Sequence, residues 1–215
     1  MKKIILLSGK MQSGKNASAD IIFDYLNENK LSNKHLFFAK ALKDECKEDF
    51  QLVKDYLNNF IGNIILKHPS IDFDLLKELN PLRLNDDNFY EDKTDLSRLL
   101  LQIYGTQIFR NRVDTNHWVD KVVDDINSSI EDFYIITDVR FLNEISHLEK
   151  NLTIDSEVIK IRVNRDIARG GVSDEHISET ALDDYNGWDY LIENDSDLNE
   201  LKNKTIEIIK EIEND

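Results

Sequence analysis

The stretch that most constrains this chain is Gly9-Lys10-Met11-Gln12-Ser13-Gly14-Lys15-Asn16, because of what stands on either side of it. Ile4 to Leu7 is a short, purely apolar run that predicts a buried strand, and Ala17 to Leu26, with Ala19, Ile22, Phe23 and Leu26 apolar, predicts a helix directly after it. A loop that joins such a strand to such a helix, with two glycines enclosing four residues and a lysine following, fits the phosphate-loop pattern. In that pattern, backbone N–H groups and the positive end of the helix converge on phosphate oxygens while the lysine reaches the outer phosphates. Gly9, Ser13, Gly14, Lys15, Asn16 and Ala17 are therefore expected to hold a nucleotide. The pattern ordinarily closes with Ser or Thr, whose hydroxyl goes to magnesium. Asn16 stands in that place, and its amide oxygen can bind the ion directly or through water. The plain alternative is a glycine-containing turn with no ligand.

The rest of the chain predicts an α/β fold. Phe133 to Thr137, Val158 to Val163 and Tyr190 to Ile192 have the β-branched and aromatic composition of strands. Leu96 to Arg110, His117 to Ile126 and Leu198 to Ile212 have helical spacing, as do the residues from Lys40 to about Asn63. Asn194-Asp195-Ser196-Asp197 offers N-caps to the last helix. Strands separated by helices indicate βαβ units and a mainly parallel sheet covered on both faces, and 215 residues suit one domain. Ile71 to Lys93, acidic and flanked or broken by Pro69 and Pro81, reads as an insertion or flap.

Charge removes several functions from consideration. With 27 Lys and Arg against 42 Asp and Glu, the net charge is −15, so a nucleic-acid polymer, which demands a broad basic surface, is not the expected partner. No apolar run approaches the roughly 20 residues that span a bilayer, and Met1-Lys2-Lys3 precedes too short an apolar run for a secretory signal. A single cysteine, Cys46, predicts an inert thiol on a helix and fits a cytoplasmic protein. The histidines, among them His35, His68, His117 and His147, show no metal-ligand spacing.

Asp138 closes the run Tyr134-Ile135-Ile136-Thr137-Asp138, which places a carboxylate at the C-terminal strand edge where parallel sheets bind ligands. It is a candidate for a magnesium-bound water or a substrate group; the alternative is a helix N-cap. Arg98, Arg110, Arg140, Arg162, Arg165 and Arg169 fall near element ends or loops, where planar guanidinium forks can take phosphate bidentately or pair with surface carboxylates. Arg165 to Gly171, with Arg169-Gly170-Gly171, has the charge and the glycine hinge of a lid. A phosphate loop, magnesium-compatible groups and clustered arginines together describe phosphoryl transfer, which needs positioning and charge neutralisation rather than a nucleophilic triad.

In four segments the chain resembles the deoxynucleoside monophosphate kinases of tailed bacteriophages, a branch of the phosphate-loop kinases. They are Ser8 to Asn16, whose family counterpart often has Asp after the lysine; Arg98 to Gln102 with Gly105-Thr106, Arg110, Asp114 and Trp118; Asp138 to Glu144, with Leu142 where proline is common; and His176-Ile177-Ser178-Glu179. The likeness runs in patches to Asn194, near the usual adenine pocket, and leaves about residues 44 to 95 unaccounted for. It implies a three-layer phosphate-loop fold with an acceptor-nucleotide region at about 40 to 130 and an arginine-rich lid at about 164 to 177. It further implies ATP and Mg2+ as cofactors and deoxynucleoside monophosphates as substrates, in a cytoplasm that would be the host's for a phage protein. Arg98, Gln102 and Arg110 would bind the acceptor, with Asp138, Arg140 and Glu179; Arg140, Arg165 and Arg169 would act with Lys15 on the transferring phosphoryl group; Asn16 and Asp138 would hold the metal; Asn194 would line the donor site. A homodimer is compatible with this reading. Its rivals are another small-molecule kinase on the same scaffold, such as a phosphomevalonate kinase, and a nucleotide-binding module with no acceptor.

Overall fold

In the computed structural model, which describes residues 1–49, 94–165 and 177–214, the apolar runs become the strands of one parallel sheet. The elements are β1 (Lys2–Ser8), α1 (Lys15–Glu28), β2 (Asn33–Leu36), α2 (Phe38–Glu48), α3 (Asp95–Gln102), α4 (His117–Ser128), β3 (Phe133–Val139), α5 (Leu142–Asn151), β4 (Ser156–Asn164), the single turn α6 (Ile177–Thr180), β5 (Tyr190–Glu193) and α7 (Leu198–Asn214). Among the described residues no helix is long and apolar enough to cross a membrane. The chain divides into two compact units, Met1–Phe38 with Val119–Asp215, and Ala39–Trp118.

The first unit holds the five-stranded sheet in the order β2-β3-β1-β4-β5, every pair parallel. β1 lies in the middle, with Ile4 opposite Tyr134 on one side and Val158 on the other, and Ile4 to Leu7 are fully buried. A strand covered on both faces has no polar side to present, hence its unbroken apolar sequence. Ile5 and Leu7 pack with Ala19, Ile22 and Leu26 of α1 and Leu201, Ile209 and Ile212 of α7. The connections from β2 to β3 and from β3 to β4 run the opposite way along the sheet from that of β1 to β2. Right-handed crossovers thus carry α4 and α5 to the other face, and these helices bury Val122, Ile126, Ile145 and Leu148. Full burial of each such aliphatic side chain is worth about 1.5–3 kcal/mol. This architecture, an all-parallel sheet flanked by helices, is the α/β fold expected of a phosphate-loop kinase.

Several expected elements differ in detail. Leu36 ends β2, and Phe38 and Ala39 open α2. The helix expected from Lys40 onward is seen as α2, its continuation past Asp49 and the stretch Ile71 to Lys93 lying outside the described residues. α5 is an element that the sequence reading did not anticipate, since its two buried aliphatics, Ile145 and Leu148, sit in an otherwise polar stretch.

In the second unit, Thr94 caps α3 by accepting the Ser97 N–H on its hydroxyl at 3.1 Å. The helix expected over Leu96 to Arg110 changes pitch midway, and Ile103–Arg110 is π-helical. The Trp118 indole donates to the Gly105 carbonyl at 3.3 Å, and the rings of Tyr104, Phe109 and Trp118 cluster with centroids 4.8, 5.0 and 6.1 Å apart. A carbonyl engaged from outside by a bulky aromatic group suits the wider π turn. The Tyr104 hydroxyl donates to Asp49 at 2.8 Å, and burial first and this bond second push its pKa up. Cys46 is buried on α2, and His117 hydrogen-bonds Glu45 at 2.7 Å, both serving this unit's interior.

Candidate active site

The loop after β1 is shaped by two glycines. A side chain on Gly9 would begin 2.6 Å from the Val163 carbonyl oxygen and 2.5 Å from Ser13 Oγ. Gly14, the N-cap of α1, has φ +99°, in the left-handed region that other residues enter at a cost of about 1–2 kcal/mol. The helix then starts at Lys15, whose Nζ curls back to within 3.2 Å of the Gly9 carbonyl. The first N–H groups of a helix have no intrahelical acceptor and carry its positive pole, which makes this turn an anion cradle.

Side chains distant in sequence brace the loop. The Met11 N–H donates to Glu179 Oε2 at 3.0 Å, Lys10 Nζ donates to Asp183 Oδ2 at 2.6 Å, and the Asn194 side-chain amide donates to the Ser13 carbonyl at 2.8 Å. Glu179 also pairs through Oε1 with Arg140 Nη1, which donates in addition to the Ser178 carbonyl at 3.4 Å. Glu179 thus orients Arg140 and fastens the loop at once. Arg162 is buried beneath, donating to Ser8 Oγ at 2.9 Å and to Asp183 Oδ1 at 3.2 Å, with its guanidinium 5.6 Å from the Trp188 ring centre.

Lys15 is 8% exposed and its pKa is pushed down to about 8. Burial is the main cause and the Arg140 charge the next; Asp138 and Glu179 pull it up, and Arg162 lowers it further. A protein of net charge −15 has here gathered Lys10, Lys15, Arg140 and Arg162 around one loop, against Asp138, Glu179 and Asp183. An anion placed among them relieves the mutual repulsion of the cations. Ser13 Oγ, buried and without a hydrogen-bond partner among the described residues, is a further donor for such an anion. Lys10, Ser13, Arg162, Arg165, Trp188 and Glu193 contribute to the lining of a cleft of about 480 Å³ beside the loop.

Asp138, near the end of β3, accepts the Phe38 N–H on Oδ1 at 3.0 Å. It is not the cap of the following helix: Glu144 reaches back to accept the Arg140 and Phe141 N–H groups at 2.6 and 2.9 Å. The described structure therefore brings Gly9, Ser13, Gly14, Lys15, Asp138, Arg140, Glu179 and Asn194 into one interconnected region. Asn16 and Ala17 continue into the first turn of α1, Asn16 exposed, and Arg165 is exposed just past β4. Arg98, Gln102 and Arg110 belong to the second unit, Arg98 exposed on α3, Gln102 at its last residue and Arg110 at the end of the π-helical segment. Arg169, His176 and the lid expected at about 164 to 177 lie outside the described residues apart from Asn164, Arg165 and Ile177.

Ser8 and Glu144 stood inside segments of the family likeness without a role of their own, and Asp183 and Trp188 were not legible as site residues. Arg162 carried a signal as one of the arginines near element ends, whereas Asp183 lies on an irregular stretch with no pattern to mark it.

No curated protein matches the chain. A family model described as deoxynucleotide monophosphate kinase matches residues 78–205, more than half of the sequence. The matched stretch contains Arg98, Gln102, Arg110, Asp138, Arg140, Glu179 and Asn194, while the loop Gly9 to Asn16 precedes it and stands on its own geometry. Drawn from different parts of the polypeptide, the loop built for an anion and the family match point to one chemistry, and the chain belongs to the deoxynucleotide monophosphate kinase family of phosphotransferases.

Proposed function

We propose that the protein transfers the γ-phosphoryl group of ATP to the 5′-phosphate of a deoxynucleoside monophosphate, giving a deoxynucleoside diphosphate and ADP. The observation that carries this reading is the buried Lys15 ammonium, which lies near Arg140 and Arg162 at the start of a glycine-shaped helix with its Nζ turned back to the Gly9 carbonyl. Such a site is poised for a polyanion.

Lys15 and the N–H groups of the loop hold the β and γ phosphates, and Ser13 Oγ adds a donor. Arg140, which pairs with Glu179, is assigned to the acceptor phosphate, and Arg110, Arg98 and Gln102 are assigned to the acceptor nucleotide. Arg165 and Arg169 neutralise charge that builds on the transferring group. The acceptor phosphate is already ionised at neutral pH, so the step asks no general base of the protein. Asn16 and Asp138 would hold Mg2+ through their side-chain oxygens, the donor type that ion takes. The ion supplies charge neutralisation between the phosphates.

The test is ADP release from ATP and Mg2+ with dGMP, dTMP, dCMP or dAMP supplied singly, and ribonucleotides and phosphomevalonate as comparators. Release that depends on a deoxynucleotide supports the proposal. Release with phosphomevalonate alone, or without any acceptor, overturns the substrate assignment.

A further inference from the structure

Asn194 is the residue that links the end of β5 to the phosphate loop. It is 7% exposed, and its backbone N–H is tied to the Asn164 carbonyl at 2.8 Å, so the main chain cannot drift. Its side chain crosses to the loop, where Nδ2 lies 2.8 Å from the Ser13 carbonyl oxygen in a buried bond spanning 181 positions of sequence. A carbonyl can only accept, so the amide must present its NH2 group there.

This bond has a directional consequence. In a trans peptide the C=O and the N–H point opposite ways, so a Ser13 carbonyl turned towards Asn194 turns the Gly14 N–H away from it. Gly14 precedes Lys15 at the start of α1, where the unsatisfied N–H groups gather. The same amide seals the side of Gly14 that a side chain would occupy, since a Cβ there would fall 2.3 Å from Asn194 Nδ2.

We propose that Asn194 is a positioning residue for the phosphate loop: its amide holds the Ser13–Gly14 peptide in the one orientation that aims the Gly14 N–H at a bound phosphate. The inference rests on the loop being the nucleotide-phosphate cradle, and it moves Asn194 from contact with the nucleotide to control of the loop beneath it. Asn194→Asp is the sharpest probe, because an isosteric carboxylate places an acceptor against the Ser13 carbonyl and repels it. Asn194→Ala removes the donor without adding charge and carries the test if the aspartate variant does not fold.

The measurement is calorimetric affinity for ADP and, separately, for inorganic tripolyphosphate, on folded protein with thermal melting as the control. Positioning predicts that each variant loses affinity for both ligands by about tenfold or more, the worth of one hydrogen bond to a loop that must be pre-set. Loss for ADP with tripolyphosphate affinity unchanged would mean that Asn194 touches the nucleoside, and would overturn the proposal. So would unchanged affinity for both, even if the melting temperature falls. Failure of the unaltered protein to bind either ligand would instead remove the cradle on which the inference stands.

Discussion

Binding of nucleotide phosphates should draw a proton onto Lys15. In the free protein its pKa is about 8, lowered by burial and by Arg140 and Arg162 and partly restored by Asp138 and Glu179. Phosphate oxygens close to Nζ favour the charged ammonium and raise its pKa in the complex. At pH 8 about half of the free molecules lack this proton, and at pH 9 about nine tenths, so saturation takes up about 0.5 and about 0.9 proton per site respectively. The sign follows: the bound pKa exceeds the free one, so apparent affinity falls as pH rises through 8, by about fivefold between pH 8 and pH 9. Guanidinium groups do not titrate in this range. His35, which also feels Asp138, is lowered mainly by burial and is neutral at these pH values. The assay is calorimetric titration with ADP in buffers of different ionisation enthalpy, above pH 8 where the terminal phosphate is fully ionised; the slope of heat against buffer enthalpy counts the protons. Uptake near zero at both pH values, with binding intact, refutes the argument and returns Lys15 to an ordinary lysine. Where the uptake is seen, Lys15→Met should abolish it at both pH values.

Three further outcomes follow from the same geometry. Because it removes a buried ammonium whose pKa burial depresses, Lys15→Met should leave the urea midpoint at or above that of the unaltered protein while phosphoryl transfer is lost; a clear loss of stability would show that the ammonium supports the fold. Gly14→Ala has to place a Cβ 2.3 Å from Asn194 Nδ2 at φ +99°, and should cost about 1–2 kcal/mol in urea unfolding together with most of the nucleotide affinity. Glu144→Ala strips the acceptor from the Arg140 and Phe141 N–H groups and should destabilise by about 1–3 kcal/mol, with KM for the acceptor rising as Arg140 loses its backbone anchor.

The parts of this fold that were readable from the sequence are those where one local signal suffices. β1 and β3 carry the apolar runs Ile4 to Leu7 and Phe133 to Ile136 because a central parallel strand has both faces covered, β4 alternates Ile159, Ile161 and Val163 with Lys160 and Arg162, and α1 and α7 show the stripes that cover one face. α5 escaped because two aliphatics among polar residues make too faint a stripe, and the π-helical turn because its aromatic cluster and the Trp118 bond to Gly105 are long-range.

The glycine-shaped turn between β1 and α1 could be anticipated from residues 9 to 16 alone, since the glycines, the lysine and the strand and helix around them are neighbours along the chain. What holds that loop could not. Glu179, Asp183 and Asn194 reach it from 168, 173 and 181 positions away, and only the parallel order of β1 and β4 with β5 beyond brings them to the same sheet edge. The sequence by itself determined the strand, the turn and the cation that the proposed function sets against a phosphate. Tertiary structure decided the direction of the Ser13–Gly14 peptide, the orientation of Arg140 and the lowered pKa of Lys15, because each depends on burial and on charges that the chain brings together only by folding.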